Sequence, residues 1–242
     1  GSSISKIYHH DASLTNGAND NSYRYAGASD QVNNYVCFGS TKTPCPENNL
    51  YRIIGVFGDK VKLIKSTSVG NKAWDSNNSN TWSTSILNTY LNNEFLNTFD
   101  ETIKGKIDTT TWKVGGFNSI EQPAKTVYQN EINSSPSVNK KIGLMYVSDY
   151  GFAAAPSAWT TNLYDYNGAA IKSANWMYLG AYEWPISRSA ADSSSAFLVN
   201  RTGSVNVSWV GPANGVRPVF SLTSSVTYVS GDGTQSSPIR IN

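Results

Sequence analysis

The side chains able to do chemistry are few. The only histidines are His9 and His10, adjacent and followed by Asp11. An acyl-transfer triad needs a histidine as base, and no G-x-S-x-G elbow accompanies these two. As metal ligands, His9, His10 and Asp11 form the best available cluster, yet consecutive side chains diverge, so no metal site is expected there. Neither G-x-G-x-x-G nor the P-loop pattern occurs. A glycosidase needs two facing carboxylates, for which Asp149, Asp165, Glu183 and Asp192 are the candidates in the C-terminal half. Ser148-Asp149 resembles a catalytic pair, but an Asp just after an apolar run reads better as a cap. No catalytic residue and no cofactor is therefore expected, with a carboxylate-dependent glycan hydrolase using Asp149 and Glu183 as an alternative.

Recognition has better support. Trp and Tyr supply contact area at low entropic cost, while Ser, Asn and Gly supply adaptable hydrogen bonds. The segment from Trp176 to Phe220 combines them, with Trp176, Tyr178, Tyr182, Trp184, Arg188, Asp192, Asn200, Asn206 and Trp209 fitting the description. Strand alternation puts about half of these in the core. The expected ligand-binding set is Trp176, Tyr178, Trp184, Arg188, Asp192, Asn206 and Trp209, concentrated in the Ser187 to Ser195 loop and the Arg201 to Trp209 hairpin, with Arg217 a structural pin.

The elements that must position this surface can be read from periodicity and turn chemistry. LYRIIGVFG and DKVKLIKS form a hairpin about Gly58-Asp59, with Val61 and Leu63 inward and Lys60 and Lys62 outward. Ile64 falls on the lysine side, so either that face is covered or the strand stops. A helix capped by Ser83 or Thr84 carries Ile86, Leu87, Tyr90, Leu91 and Phe95, and Asp100 caps a second through Ile103 and Ile107. TTTWKVGGF is strand-like, and a short helix is expected near Tyr128 to Ile132. Ile142 to Val147 reads as a buried strand, and Trp176 to Ile186 as another. Ala196 to Val199 and Ser204 to Val210 pair as a hairpin, Gly215 to Leu222 follows as a strand, and the tail ends in a short edge strand. Residues 3 to 34 read as an ordered loop region lying on the core.

Composition sets the context. An apolar fraction of 39% in 242 residues can build an ordinary core, and no linker-like stretch divides it, so a single domain over 1–242 is expected. Charged residues are only 15%, leaving Asn, Ser and Thr to form the polar surface, which suits an extracellular protein. A net charge of +2 without a Lys/Arg cluster gives no footprint for nucleic acid. No apolar run is long enough to cross a bilayer. Gly1-Ser2 reads as a cloning remnant, so a trimmed export signal or membrane-anchoring helix is expected ahead of it. Cys37 and Cys45, in the turn-rich CFGSTKTPC, are expected to form a disulfide, with two unrelated thiols the alternative.

The ending GVRPVFSL, preceded by a Trp-rich stretch with WPISRS and a Gly-containing hairpin, resembles the formylglycine-generating-enzyme-type branch of the C-type lectin fold, which includes retroelement-diversified variable proteins. More closely, the order YRIIGVF, KLIKS, WSTSILNTYLNNEFL, IGLMYVSDYGF, WPISRS and GVRPVFSL is similar to surface-exposed proteins of gut Firmicutes and Mollicutes, some carrying a prepilin-like N-terminal helix. The likeness runs from Tyr8 onward. It implies an α+β, C-type lectin-like domain with small twisted antiparallel sheets, one or two helices and long ordered loops, displaying ligand-facing residues from its C-terminal segment. Catalysis does not carry over, because the enzyme branch uses cysteines in its C-terminal half and this chain has none there. The Glu-Pro-Asn sugar motif of calcium-dependent lectins is also absent. The expected function is non-enzymatic binding of a protein or glycan at a cell surface. The alternative is a self-associating pilin-like or cell-envelope subunit.

Overall fold

The computed structural model describes residues 6–242, and the reading of Gly1-Ser2 as a cloning remnant lies outside them. The chain is mixed α+β, with small sheets and few short helices. In order it runs β1 (Ile7–His9), β2 (Tyr23–Tyr25), β3 (Tyr35–Cys37), β4 (Leu50–Phe57), β5 (Lys60–Lys65), β6 (Asn71–Ala73), α1 (Ile86–Tyr90), α2 (Glu101–Lys104), β7 (Thr110–Lys113), α3 (Ala124–Ile132) and β8 (Ser137–Lys140). It continues through α4 (Val147–Ala153), α5 (Ala169–Ser173), β9 (Ser195–Val199), β10 (Val205–Trp209), β11 (Ala213–Gly215), β12 (Val219–Ser221), β13 (Tyr228–Ser230) and β14 (Ile239–Ile241). No helix of the described residues is long and apolar enough to cross a membrane.

The predicted β4–β5 hairpin is the centre of the main sheet. Gly58 supplies the turn, where its φ of 63° is a left-handed value that a side chain would disfavour. One edge of β4 pairs with β5 while the other is shared, β3 taking Leu50 to Arg52 and β2 taking Gly55 and Val56. This close crossing requires Gly55, because any Cβ there would collide with the backbone carbonyl of Tyr23. Among the described residues the sheet runs β1-β2-β4-β3-β14-β13, with β12 joined outside β5. GVRPVF thus closes the sheet that YRIIGVF begins.

Several sequence expectations are corrected. Lys62 does not face solvent. Both faces of β5 are covered, so Ile64 is fully buried and Lys62 nearly so, and the lysine finds an acidic partner inside. The expected strand Ile142 to Val147 is buried from Ile142 to Met145 but extended without a ladder, because the side-chain amide of Asn92 bonds both the N–H and the carbonyl of Ile142 at 3.0 and 2.9 Å. One bridge, Gly143 to Val219, ties it to the sheet, and helix α4 starts at Val147. Residues 176–186 likewise form no strand. Glu183 makes single bridges to Val199 and Gly215, joining β9 to β11. The tail strand β14 is interior, parallel to β3 and antiparallel to β13, so β13 holds the edge instead. The N-terminal region, expected as loop, contributes β1 and β2.

The helices follow the expected logic with shifted ends. Ser85, not Ser83 or Thr84, caps α1, its hydroxyl accepting from the N–H of Asn88, because Trp82 to Thr84 is spent on a tight turn of its own. Asp100 caps α2 as expected. The core seam between this region and the sheet is aromatic. Phe220 of β12 lies 5.2 Å from both Phe38 and Tyr51 and 6.2 Å from Phe99, centroid to centroid. The expected Cys37–Cys45 disulfide is formed, over a separation of 8 residues, and closing so short a loop stabilises by roughly 2–3 kcal/mol.

Because Phe220 is fully buried and touches three other rings, Phe220→Ala is expected to lower the unfolding free energy by about 3–5 kcal/mol. Chemical denaturation should show it, with Phe220→Leu losing clearly less.

Candidate functional site

The structure divides the predicted binding set by burial. Trp176 and Trp184 are core residues and are withdrawn from the surface. Each is 1% exposed, with its indole N–H donated inward, to the Tyr25 carbonyl at 2.8 Å and the Lys72 carbonyl at 2.9 Å. Strand alternation had placed half of the aromatics inside without saying which. Trp209 is the opposite case. Of the seven tryptophans, six are at most 1% exposed and Trp209 alone is 53% exposed. Its indole lies beside Gly211, where an added Cβ would come within 3.3 Å of the ring.

The β9–β10 hairpin that carries Trp209 is the predicted one, registered from Val205 opposite Val199 to Trp209 opposite Ser195. Strand β9 is wholly buried, whereas Val207 and Trp209 of β10 point outward. At the turn end Tyr178 donates its hydroxyl to the Arg201 carbonyl at 2.7 Å, and the Arg201 guanidinium lies 5.8 Å from the ring of exposed Tyr182. Half-buried Asn206 donates to the Ser204 hydroxyl. The turn Leu163–Asp165 packs beside β10 and leaves Tyr164 exposed.

The Ser187 to Ser195 loop is held from beneath by a residue that the sequence reading passed over. Buried Asn80 donates its side-chain amide to the carbonyls of Ser189, Asp192 and Ser195 at 2.8, 2.7 and 2.8 Å. Arg188 is half-buried and fastens the loop to the Gly115 carbonyl. Asp192 is exposed and accepts from the N–H and hydroxyl of Ser194, which closes the loop tip, and hydrogen bonding from Ser195 and then Ser194 holds its carboxyl below the usual range. Arg188 and Asp192 therefore shape the loop, while its outward residues are Ala190 to Ser193.

A second constellation was not legible in sequence. Asp149 is buried and receives Lys62 Nζ at 2.8 Å and Arg24 Nη1 at 3.2 Å, and it also accepts from the N–H of Tyr146, the cap of α4. Arg24 continues to Asp20 at 2.9 Å. Burial works against the Asp20 carboxylate, but Arg24 and hydrogen bonds from Ser22 outweigh it and hold its pKa at about 2. Glu131 of α3 lies at the start of α4, accepting from the N–H groups of Val147 and Ser148 and, at 2.7 Å, from the Ser187 hydroxyl. Desolvation pushes its pKa up to about 7 against the pull of these donors. Glu131 and Asp149 line a cleft of about 200 Å³ with Lys62, Tyr128 and Tyr146.

Two carboxylates in one cleft invite a hydrolytic reading, but their oxygens face protein donors. Glu183, the other half of the expected pair, is not in this cleft's lining. It is buried and gripped by Arg217, which donates from Nε and Nη2 to its two oxygens. Arg217 thus has the structural part expected of it. Asp165 is exposed. At the N-terminus His9 and Asp11 pair at the surface at 3.3 Å, whereas His10 turns into the core. There Nδ1 accepts from the Ala18 N–H at 2.9 Å, and burial lowers the imidazole to about 3. Among the described residues no three His, Cys, Asp or Glu side chains converge as a metal cluster.

The raised pKa of Glu131 has a definite sign. Unfolded, the carboxyl releases its proton near 4.5; folded, it keeps it to about 7, so the group's relative stabilisation is fully present below pH 4.5 and is lost as pH rises through 7. The loss is on the order of 3 kcal/mol. Glu131→Gln should remove that slope: between pH 5 and 8 the unfolding free energy of the variant should fall less than that of the parent, whatever offset the amide introduces at all pH values.

Searches of curated proteins and of solved structures found no match. A family model, described as Domain of unknown function (DUF6273), matches residues 58–238. The match begins at the β4–β5 turn, yet β1 to β4 and β14, outside it, complete the same sheet. Covering well over half of the sequence, from the hairpin turn through the β9–β10 surface, it places this chain in the DUF6273 family.

Proposed function

We propose that the chain is a non-enzymatic, extracellular recognition module of C-type lectin-like fold, binding a protein or glycan through the outward face of the β9–β10 hairpin. The observation that carries this reading is the exposure of Trp209 in a protein that buries every other tryptophan. An indole left in water forgoes the largest apolar burial available to any side chain, and tryptophan is the residue type most enriched where partners bind. Its setting suits the role. Asn80 holds the backbone of Ser195, the cross-strand partner of Trp209, so little entropy is lost on contact. Val207 extends this face along β10, and Tyr182 and Arg201 add an exposed aromatic and a cation at the turn end of the hairpin. The disulfide supports an oxidising compartment. The donor-filled oxygens of Glu131, Asp149 and Glu183 weigh against a hydrolase.

A glycan and protein array tests the reading. Binding by the parent should fall at least tenfold, about 1.4 kcal/mol or more, in Trp209→Ala and further in Trp209→Ala with Tyr182→Ala, at unchanged thermal stability. Binding that survives the double substitution would overturn the site. Self-association in sedimentation that disappears with the same substitutions would replace foreign recognition by assembly of an envelope or pilus subunit.

A further inference from the structure

We propose that the free edge of β13, with the cationic cleft beside it, takes up an extended acidic polypeptide segment as an added strand. This surface is built from β3, β13, β14 and the disulfide loop, and shares nothing with the β9–β10 hairpin.

Two independent observations carry it. The first is the edge. Among the described residues β13 pairs with β14 alone. Natural edges are blunted by charge, proline, a covering element, a bulge or short length, and β13, a strand of 3 residues with a register shift between Tyr228 and Ser230, has only the last two. Here Tyr228, Val229 and Ser230 are uncharged, with Tyr228 66% and Val229 59% exposed. The backbone groups that point away from β14 are left facing water beside apolar side chains.

The second is the charge. Val229 also lines a cleft of about 520 Å³, whose lining includes Ile241, the cations Lys42, Lys106 and Arg240, and one carboxylate, Asp100. Arg240 is fixed by neutral acceptors, the carbonyls of Ser40 and Lys42 and the Thr43 hydroxyl. Among the described residues none of the three cations is in an ion pair, and Asp100 accepts from the Ile103 N–H as the cap of α2. The cleft therefore carries uncompensated positive charge against an aliphatic wall.

A strand added to β13 alternates its side chains, and those on the Val229 side project over the cleft. Acidic residues at these positions meet the lysines, while apolar ones, on the opposite face, cover Tyr228. Main-chain bonds would supply affinity and the charges partner choice, as in other strand-addition interfaces. An acidic sugar chain could use the charges but not the edge.

The test is fluorescence anisotropy with the labelled hexapeptide Glu-Val-Glu-Val-Glu-Val, its alternately N-methylated form, and Lys-Val-Lys-Val-Lys-Val. The acidic peptide should bind, at least tenfold tighter than either control, and added salt should weaken it. Lys42→Glu with Lys106→Glu should weaken it at least tenfold, and Trp209→Ala should leave it unchanged, which separates this proposal from the hairpin surface. Absence of binding, equal binding of the N-methylated peptide, or indifference to the charge reversal overturns the proposal. Binding of polygalacturonate without the acidic peptide reassigns the cleft to acidic sugars and likewise overturns it.

Discussion

The buried carboxylate of Asp149 is the contact on which the rest of the structure depends. It takes a guanidinium from β2, an ammonium from β5 and the N–H of Tyr146, the cap of α4, at once. Asp20 balances the second cation, so the four side chains are neutral as a group. The rings of Phe57, Tyr128 and Phe152 lie around Arg24, and those of Phe57, Trp112 and Tyr146 around Lys62, facing the cations with their π clouds. Removing one partner from such a cluster typically costs about 3–5 kcal/mol, because the charges left behind stay buried.

From Asp149 the constraint passes to the exposed face by hydrogen bonds. Glu131, at the start of the helix that Asp149 caps, accepts from Ser187, the first residue of the loop that leads into β9. Asn80 fixes the far part of the same loop through three carbonyls. Arg217 and Glu183 join the segment before the loop to the one after the hairpin. The hairpin is thus tied at its base to a charged and aromatic interior, and Trp209, opposite Ser195, sits at that tied end.

How much of this could be read beforehand follows from range. Gly58 in the β4–β5 turn, Asp100 as a cap and the Cys37–Cys45 bridge are local signals, legible because turn and cap chemistry is set by neighbours. The β9–β10 hairpin was legible for the same reason. Lys62 was misread because alternation assumes one wet face, and a partner 87 residues away covers it. Arg24 and Asp149 are 125 residues apart, and nothing local announces them. Ile142 to Val147 reads as a strand because it is apolar, but Asn92 supplies a side-chain substitute for a neighbour at Ile142 and α4 starts at Val147. Among the seven expected binding residues the pattern could name the aromatics but not sort them, since Trp176, Trp184 and Trp209 differ only in what the fold places over them.

The central claim is that this protein presents one tryptophan and hides the other six. Acrylamide quenching of intrinsic fluorescence reads that directly. A single accessible, red-shifted component is expected in the parent, and it should vanish in Trp209→Phe while the remaining emission stays blue and shielded. An accessible component that persists in Trp209→Phe would contradict the account.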